Sequence, residues 1–344
     1  MKNILITGGA GFIGSEFGKF LLKNKLNVKI LDNLEYGYRD NFEDNEILTH
    51  NFILADIREE NFEKYLKDID IVIHFAGLSA LPECESNPTK AFDVNTNGVA
   101  NVLDAIRKSN VKKFIFASTS AIYENNPNNN IHKEVDPVNP NLIYATTKYC
   151  AEQICKSYAQ NYDMDIIICR FFNVFGPHQD FKRKYPPFTS YLIKEALAGN
   201  TPLIFNTEDC KRDYIYVDDL MQYLYLMLSS EKKYSAEIFN LATGNGYSAL
   251  EIAESIYSLL NKELVFEAGE PAKFWDKYEA LFNKNYNLNK SRVIKEVFKN
   301  CIGSGTKVQN EFGYTAKSNL QEGLKAIIEY QRNHQDCTAS IGLE

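Results

Sequence analysis

Histidine occurs only five times in the chain, with no HxH or HxxxH spacing, so a zinc site is not expected. The seven cysteines, at 84, 150, 155, 169, 210, 301 and 337, form no CxxC pair and no regular framework. They read as free thiols, not as disulfides or metal ligands. No apolar run approaches the roughly 20 residues of a membrane-spanning helix. The N-terminus shows no charged segment leading into an apolar core, as a secretion signal would. Basic residues are outnumbered: 38 Lys and Arg stand against 45 Asp and Glu, a net charge of −7. Nucleic-acid binding rests on clustered basic residues, so it is not the expected function. A small phosphate-bearing ligand needs only one or two placed arginines and stays open. Internal repeats and low-complexity tracts are absent. The expectations are therefore a cytoplasmic location with no metal, no nucleic-acid partner and no membrane partner.

What is present is the pattern of a soluble globular chain: 344 residues, 44% hydrophobic and 24% charged. That length suits one large domain or two modest ones. Short apolar runs at 4–6, 28–31, 52–54, 71–73, 114–116 and 166–168 read as strands. Helical stretches separate them, among them 13–24, 89–109 and 143–161. Strands without in/out alternation are buried on both faces, as in a parallel sheet covered by helices. The spacing predicts an α/β fold, a doubly wound parallel sheet of Rossmann type. From about residue 175 the pattern changes. A Pro-, Lys- and aromatic-rich loop at 176–187 precedes helices at 188–198, 218–230, 248–261 and 318–332. Residues 270–305 show no clear period and read as an insertion or lid. The tail 340–344 reads as unstructured. The expected division is a dinucleotide-binding domain, 1–175, and a smaller α/β substrate domain, 176–335, with some elements returning to the first sheet.

The first strand runs into Thr7-Gly8-Gly9-Ala10-Gly11-Phe12-Ile13-Gly14, which opens a helix. Glycines let backbone N–H groups approach a pyrophosphate, and the helix N-terminus adds partial positive charge. The second strand ends in Asp32, with Asn33 beside it, eighteen residues after Gly14. A carboxylate there accepts from adenosine ribose hydroxyls and repels a 2′-phosphate, which favours NAD over NADP. The alternative is a tight structural turn with Asp32 on the surface.

Ser118, Thr119 and Ser120 follow the strand at 114–117, at the end where ligands bind in such sheets. Tyr144 and Lys148 then stand at i and i+4, on one helix face. The lysine cation, with the nicotinamide charge, would stabilise the phenolate and bring Tyr144 within range of a general base. Thr119 would share the substrate oxygen. The alternative is a core aromatic next to a solvated lysine.

These motifs together resemble the extended short-chain dehydrogenase/reductase family, specifically its nucleotide-sugar epimerases and dehydratases. Ala55-Asp56-Ile57-Arg58 and Ile73-His74-Phe75-Ala76-Gly77-Leu78 look especially like the UDP-galactose 4-epimerases. The resemblance covers residues 1 to about 265 and resumes at 305–330. It implies that Phe12 and Ile13 lie along the pyrophosphate, and that Asp56 and Ile57 contact the adenine. Phe75, Ala76, Gly77 and Asn95 would line the cofactor and Phe172 would flank the nicotinamide. Thr119, Tyr144 and Lys148 would be catalytic. Ser79, Ser120 and Asn173 would touch the sugar nucleotide. Arg212, in a Lys211-to-Asp219 stretch like the family's substrate motif, would pair with the diphosphate, the alternative being a structural pair with an acid such as Asp218. Arg292, fifteen residues before Lys307, would be the second diphosphate arginine. A homodimer through helices 89–109 and 143–161 is also implied.

The resemblance further bears on the reaction. Dehydratases of the family carry Asp-Glu directly after the catalytic threonine, where this chain has Ser120 and Ala121. Decarboxylases carry a glutamate, and 3,5-epimerases a cysteine, at the position of Ala121. Without an acid to protonate a leaving hydroxyl, dehydration lacks its proton donor. The expected activity is C4 epimerisation of a nucleotide sugar, a UDP-sugar being favoured, through a transient 4-keto intermediate. The alternatives are a reductase or dehydrogenase and, behind it, a dehydratase, in synthesis of surface-polysaccharide sugars. Two departures stand out: Ser79 replaces a lysine, and Glu124 follows Tyr123 where glycine is usual.

Overall fold

A computed structural model describes residues 2–124, 131–183, 186–208, 210–283 and 286–334. The tail at 340–344 lies outside the described residues. The six apolar runs become the strands β1 (Asn3–Thr7), β2 (Asn27–Asp32), β3 (Phe52–Leu54), β4 (Ile71–His74), β5 (Lys113–Thr119) and β6 (Ile166–Phe171). Every residue of β4, β5 and β6 is buried, which is why their sequences do not alternate. Of the later strands, those used below are β7 (Asn173–Phe175), β8 (Arg212–Tyr216), β9 (Ser235–Leu241) and β10 (Gly246–Tyr247).

Seven strands form one parallel sheet in the order β9–β6–β5–β4–β1–β2–β3. The winding reverses between β1 and β4, and a crevice opens there at the carboxyl ends of the strands. β9 escapes the sequence pattern because it is an edge strand. Ser235 and Glu237 of its Ser-Ala-Glu-Ile start face solvent, so it lacks the continuous apolar run of its neighbours. A small second sheet, β10–β8–β7, branches off just past β6.

The helices used below are α1 (Phe12–Lys23), α2 (Leu81–Ser86), α3 (Gly98–Ile106), α4 (Ile143–Tyr162), α5 (Phe188–Ala198), α6 (Val217–Ser229), α7 (Ala249–Leu259), α8 (Lys290–Val297) and α9 (Leu320–Asn333). One face of the main sheet buries Phe17 and Leu21 of α1 with Leu220, Leu224 and Met227 of α6. The other buries Val99 and Val102 of α3 with Ala151 and Cys155 of α4. Helices α5, α7 and α9 build a separate core around Leu192, Ile252, Ile256 and Leu324. Capping boxes at Ser248/Glu251 and Asn319/Glu322 start α7 and α9, each satisfying two otherwise orphaned N–H groups.

Two expectations need correction. The single helix expected over 89–109 is Pro88–Phe92, a π-helical turn at Asp93–Asn97, and α3. The segment 270–305 is not featureless. It carries Trp275 and Leu281, both buried, and the helix α8, whose Val293 packs with them against Leu142 and Ala145 of the α4 start. The helical period was hidden because α8, Lys-Ser-Arg-Val-Ile-Lys-Glu-Val, is half charged and buries only one narrow stripe.

Candidate active site

Gly8 has φ +69°, and a Cβ there would lie 2.5 Å from the backbone nitrogen of Ala76. A Cβ on Gly14 would lie 2.2 Å from the Gly8 carbonyl oxygen. Both glycines are thus demanded by packing of the turn on itself and on the end of β4. Gly11 differs, because a Cβ there would meet only the Gly8 oxygen, at 3.4 Å. It is the N-cap of α1 and supplies no side-chain cap. The first-turn N–H groups, including those of Phe12 and Ile13, therefore face an uncrowded space, which fits a pyrophosphate. The Phe12 and Ile13 side chains themselves pack against the core.

Asp32 closes β2 beside this loop. Its Oδ2 accepts from Ala10 N at 3.0 Å and its Oδ1 from Leu34 N at 2.8 Å. Burial pushes the carboxyl up, and the two N–H groups oppose it. Each oxygen keeps an acceptor position, so the group fits ribose hydroxyls while also holding the glycine loop. Asn33 donates to Asp56 Oδ2 at 2.8 Å. Asp56 accepts three further bonds, all from Arg58, and these hold its pKa at about 2 against burial. All four acceptor positions are filled, so the Asp56 side chain organises the adenine end, and a direct contact with a ligand would need one bond to give way. Ile57 is buried under Gly98. Phe75 and Ala76 are half-buried and Gly77 is exposed.

Asn95 sits on the π-helical turn, a feature often found at functional sites. Its Oδ1 accepts from Leu78 N at 2.8 Å, and its Nδ2 donates to Leu78 O at 2.9 Å and Thr147 Oγ1 at 3.0 Å. A Cβ on Gly77 would lie 3.0 Å from Asn95 Oδ1 and 3.9 Å from Lys148 Nζ. The absent side chain lets Asn95 and Lys148 reach one wall of the crevice.

Tyr144 and Lys148 stand one turn apart on α4, and the structure brings Tyr144 beside Thr119 of β5, whose hydroxyl lowers the phenol pKa. Thr119 Oγ accepts the Ala121 N–H at 3.1 Å. Its own proton is therefore the one available to the phenol oxygen, a donation that favours phenolate. Burial nevertheless pushes Tyr144 up to about 12. Lys148 is buried with its ammonium 4.4 Å above the Phe116 ring, and burial lowers it to about 8, opposed by Cys155 and Glu152. In the protein alone desolvation dominates the phenol, and Thr119 opposes it.

Several expected residues are placed differently. Ser118 turns away from the crevice and donates to Glu152 at 2.5 Å. Glu152 is wholly buried and binds Arg170 in two bonds, 3.0 and 2.8 Å, while Arg170 also reaches the Tyr123 hydroxyl at 2.7 Å. Phe172 is buried among Tyr123, Ala242 and Cys301, with Gly303 against its ring, so it is packed as core instead of presenting a free face. Asn173 spends its amide on the Asp213 carbonyl at 2.8 Å. Ser79 is exposed just before α2, and Ser120 is half-buried in the turn Ser120–Tyr123.

Arg212, at the start of β8, binds Glu296 of α8 through its carbonyl at 2.6 Å and its carboxylate at 3.5 Å. The structural partner is thus Glu296 and not Asp218, whose neighbouring charges are Glu16, Asp219 and Lys23. Arg292 pairs with Glu124. Sequence reasoning missed Glu296, Glu124, Glu152 and Arg170. Only two signals were available: Glu152 extends the i+4 series 144, 148, 152, and Glu124 departs from the usual glycine. Among the described residues no group of three or more His, Cys, Asp or Glu could hold a metal, and no helix is long and apolar enough to cross a membrane.

Residues 4–242 match the description "NAD dependent epimerase/dehydratase family". The chain belongs to that family. It is 29% identical over 333 residues to a putative UDP-glucose 4-epimerase of Methanocaldococcus jannaschii, covering 96% of this chain and 99% of the relative. Among solved structures it is similar to the UDP-glucose 4-epimerase of Thermotoga maritima in complex with UDP-glucose, with a TM-score of 0.83, 27% identity, and coverage of 97% and 99%. The Thermus thermophilus UDP-glucose 4-epimerase in complex with NAD is similar too, with a TM-score of 0.80, 28% identity, and coverage of 96% and 99%. This member of the family carries the glycine loop, Asp32 and Thr119 at the carboxyl ends of β1, β2 and β5 of one parallel sheet, with Tyr144 and Lys148 on α4.

Proposed function

We propose that the protein is an NAD-dependent 4-epimerase of a UDP-sugar, with Tyr144 as the base at the C4 hydroxyl. The observation that carries the reading is Tyr144 set beside Thr119 at the end of β5, one helical turn from Lys148, with no carboxylate at 120 or 121. When bound, NAD accepts a hydride from C4 and returns it to the opposite face of the 4-keto sugar. The first turn of α1 and Asp32 hold it, and Gly77 and Asn95 shape the wall that Lys148 reaches. Tyr144 takes the C4 hydroxyl proton and gives it back after inversion. Thr119 stabilises the phenolate before the proton is taken and again after it is returned. Lys148, at about 8, is mostly cationic near neutral pH and favours the same charge. Ser120 and Ala121 offer no acid to expel a hydroxyl, which supports epimerisation over dehydration. Arg212 and Arg292 supply the guanidinium forks suited to a diphosphate, with Ser79 and Asn173 beside the sugar.

Residues 1–175 serve the cofactor, and most of 176–335 the substrate. The protein works in the cytoplasm as a homodimer, for which α3 and α4, packed side by side on one sheet face, offer a two-helix surface. Light scattering tests the dimer. The reaction is tested with a panel of UDP-, GDP-, dTDP- and CDP-sugars followed by NMR without added cofactor. Inversion at C4 with no net redox change is expected for a UDP-sugar. A stable 4-keto-6-deoxy product, or dependence on added NAD(H), would overturn the assignment.

A further inference from the structure

The turn that follows β5 meets the start of α4 at both of its ends. At its start Thr119 lies beside the Tyr144 phenol. At its far end Glu124 reaches the backbone leading into α4. One of its carboxylate oxygens accepts the N–H groups of Asn141 and Leu142, the latter at 2.8 Å. The other meets Arg292 of α8. The Glu124 side chain has no solvent exposure and that of Arg292 only 15%. Glu85 of α2 completes the cap by accepting Ile143 N at 2.6 Å. Leu142, the N-cap of α4, has no side-chain acceptor of its own, and the N–H groups of Leu142 and Ile143, orphaned at the helix start, are met by these two carboxylates. Arg292 Nε is buried with no hydrogen-bond partner. The guanidinium is therefore not saturated by Glu124 and retains a donor.

We propose that Glu124 is a positioning residue. It ties the first turn of α4, and with it the Tyr144 phenol, to the segment that carries Arg292. The inference rests on Tyr144 being the base and Arg292 a substrate ligand. Tyr144 is the second residue of α4, so a shift of that first turn moves the phenol directly. A misplacement of about 1 Å can cost on the order of 100-fold in rate. One buried carboxylate thus serves both ends: its oxygen as acceptor fixes the helix, and its charge holds the arginine.

The two tasks separate in variants of the holoenzyme. Glu124→Ala loses both, and kcat falls about 10- to 100-fold with a raised KM. Glu124→Gln keeps an acceptor for Asn141 and Leu142 but loses the charge facing Arg292. It recovers most of the lost kcat while KM stays raised about tenfold, the equivalent of about 1.4 kcal/mol. Should Glu124→Ala not fold, Glu124→Gln against the wild type carries the test through its split between KM and kcat. The inference is overturned if kcat and KM of Glu124→Gln change in parallel with a fall in thermal midpoint, which marks a merely structural role. It is equally overturned if Glu124→Gln retains wild-type values in both. Tyr144→Phe is run alongside. Normal turnover there would sink the base assignment itself, whereas an inactive Tyr144→Phe with wild-type Glu124 variants sinks only the role given to Glu124.

Discussion

Thr119→Val keeps the shape of the side chain at the end of β5 and deletes one hydroxyl. That hydroxyl accepts Ala121 N–H at 3.1 Å and, donating toward the Tyr144 phenol, lowers its pKa. A hydrogen bond to an ionised group contributes about 1.5–3 kcal/mol, and about 1.4 kcal/mol corresponds to one pKa unit. Loss of the bond should raise the phenol by about one to two units above its value in the wild type. The base works only when ionised, and well below its pKa the ionised fraction falls tenfold for each unit of rise. At neutral pH, kcat should therefore drop about 10- to 100-fold. The assay is kcat against pH for the epimerisation, in wild type and variant. The acid limb should move upward by the same amount, so the deficit shrinks as pH rises. The thermal midpoint should change little, because Ala121 is half-buried and its N–H can turn to water. A drop in kcat with an unmoved acid limb would refute the reasoning, since Thr119 would then not act on the ionisation of Tyr144.

Gly11→Ala and Gly14→Ala should part company. The first meets only one atom at 3.4 Å and should fold with near-normal stability yet purify with little NAD. The second drives a Cβ to 2.2 Å from backbone and should lower the thermal midpoint itself. Glu152→Ala should cost about 3–5 kcal/mol in urea unfolding, because it strands the buried Arg170 charge; a loss below about 1 kcal/mol would show that water reaches the pair. His74 is fully buried, and burial with the nearby Lys148 charge lowers its pKa to about 3. Between about pH 3 and about 6.5 the unfolded chain binds a proton that the folded chain refuses, so stability should fall as pH drops through that window, by up to about 1.4 kcal/mol per unit. His74→Gln should flatten that part of the stability profile.

The sheet was legible because burial on both faces leaves short apolar runs, as in β4, β5 and β6. The edge strand β9 and the helix α8 were not, since exposed Ser235 and Glu237 open the one and charged residues make up half of the other, so their sequences pass for loop. The same limit applied to the site. The glycine loop and the Tyr144/Lys148 spacing are local patterns, readable because a tight turn and a shared helix face are properties of neighbouring residues. Ser118 and Phe172 were assigned to the crevice from their place in a motif, yet strand orientation and packing turned one to Glu152 and the other into the core.

By itself, the sequence determined the α/β class, the glycine loop with its acidic partner and the one-turn spacing of Tyr144 and Lys148, because these depend on composition, periodicity and short spacing. Only the tertiary structure decided which carboxylates meet which arginines: Glu296 with Arg212, Glu124 with Arg292, Glu152 with Arg170. Those partners are 84, 168 and 18 residues apart. The phenol's upward shift was likewise decided there, because desolvation belongs to the folded environment and not to any residue in isolation.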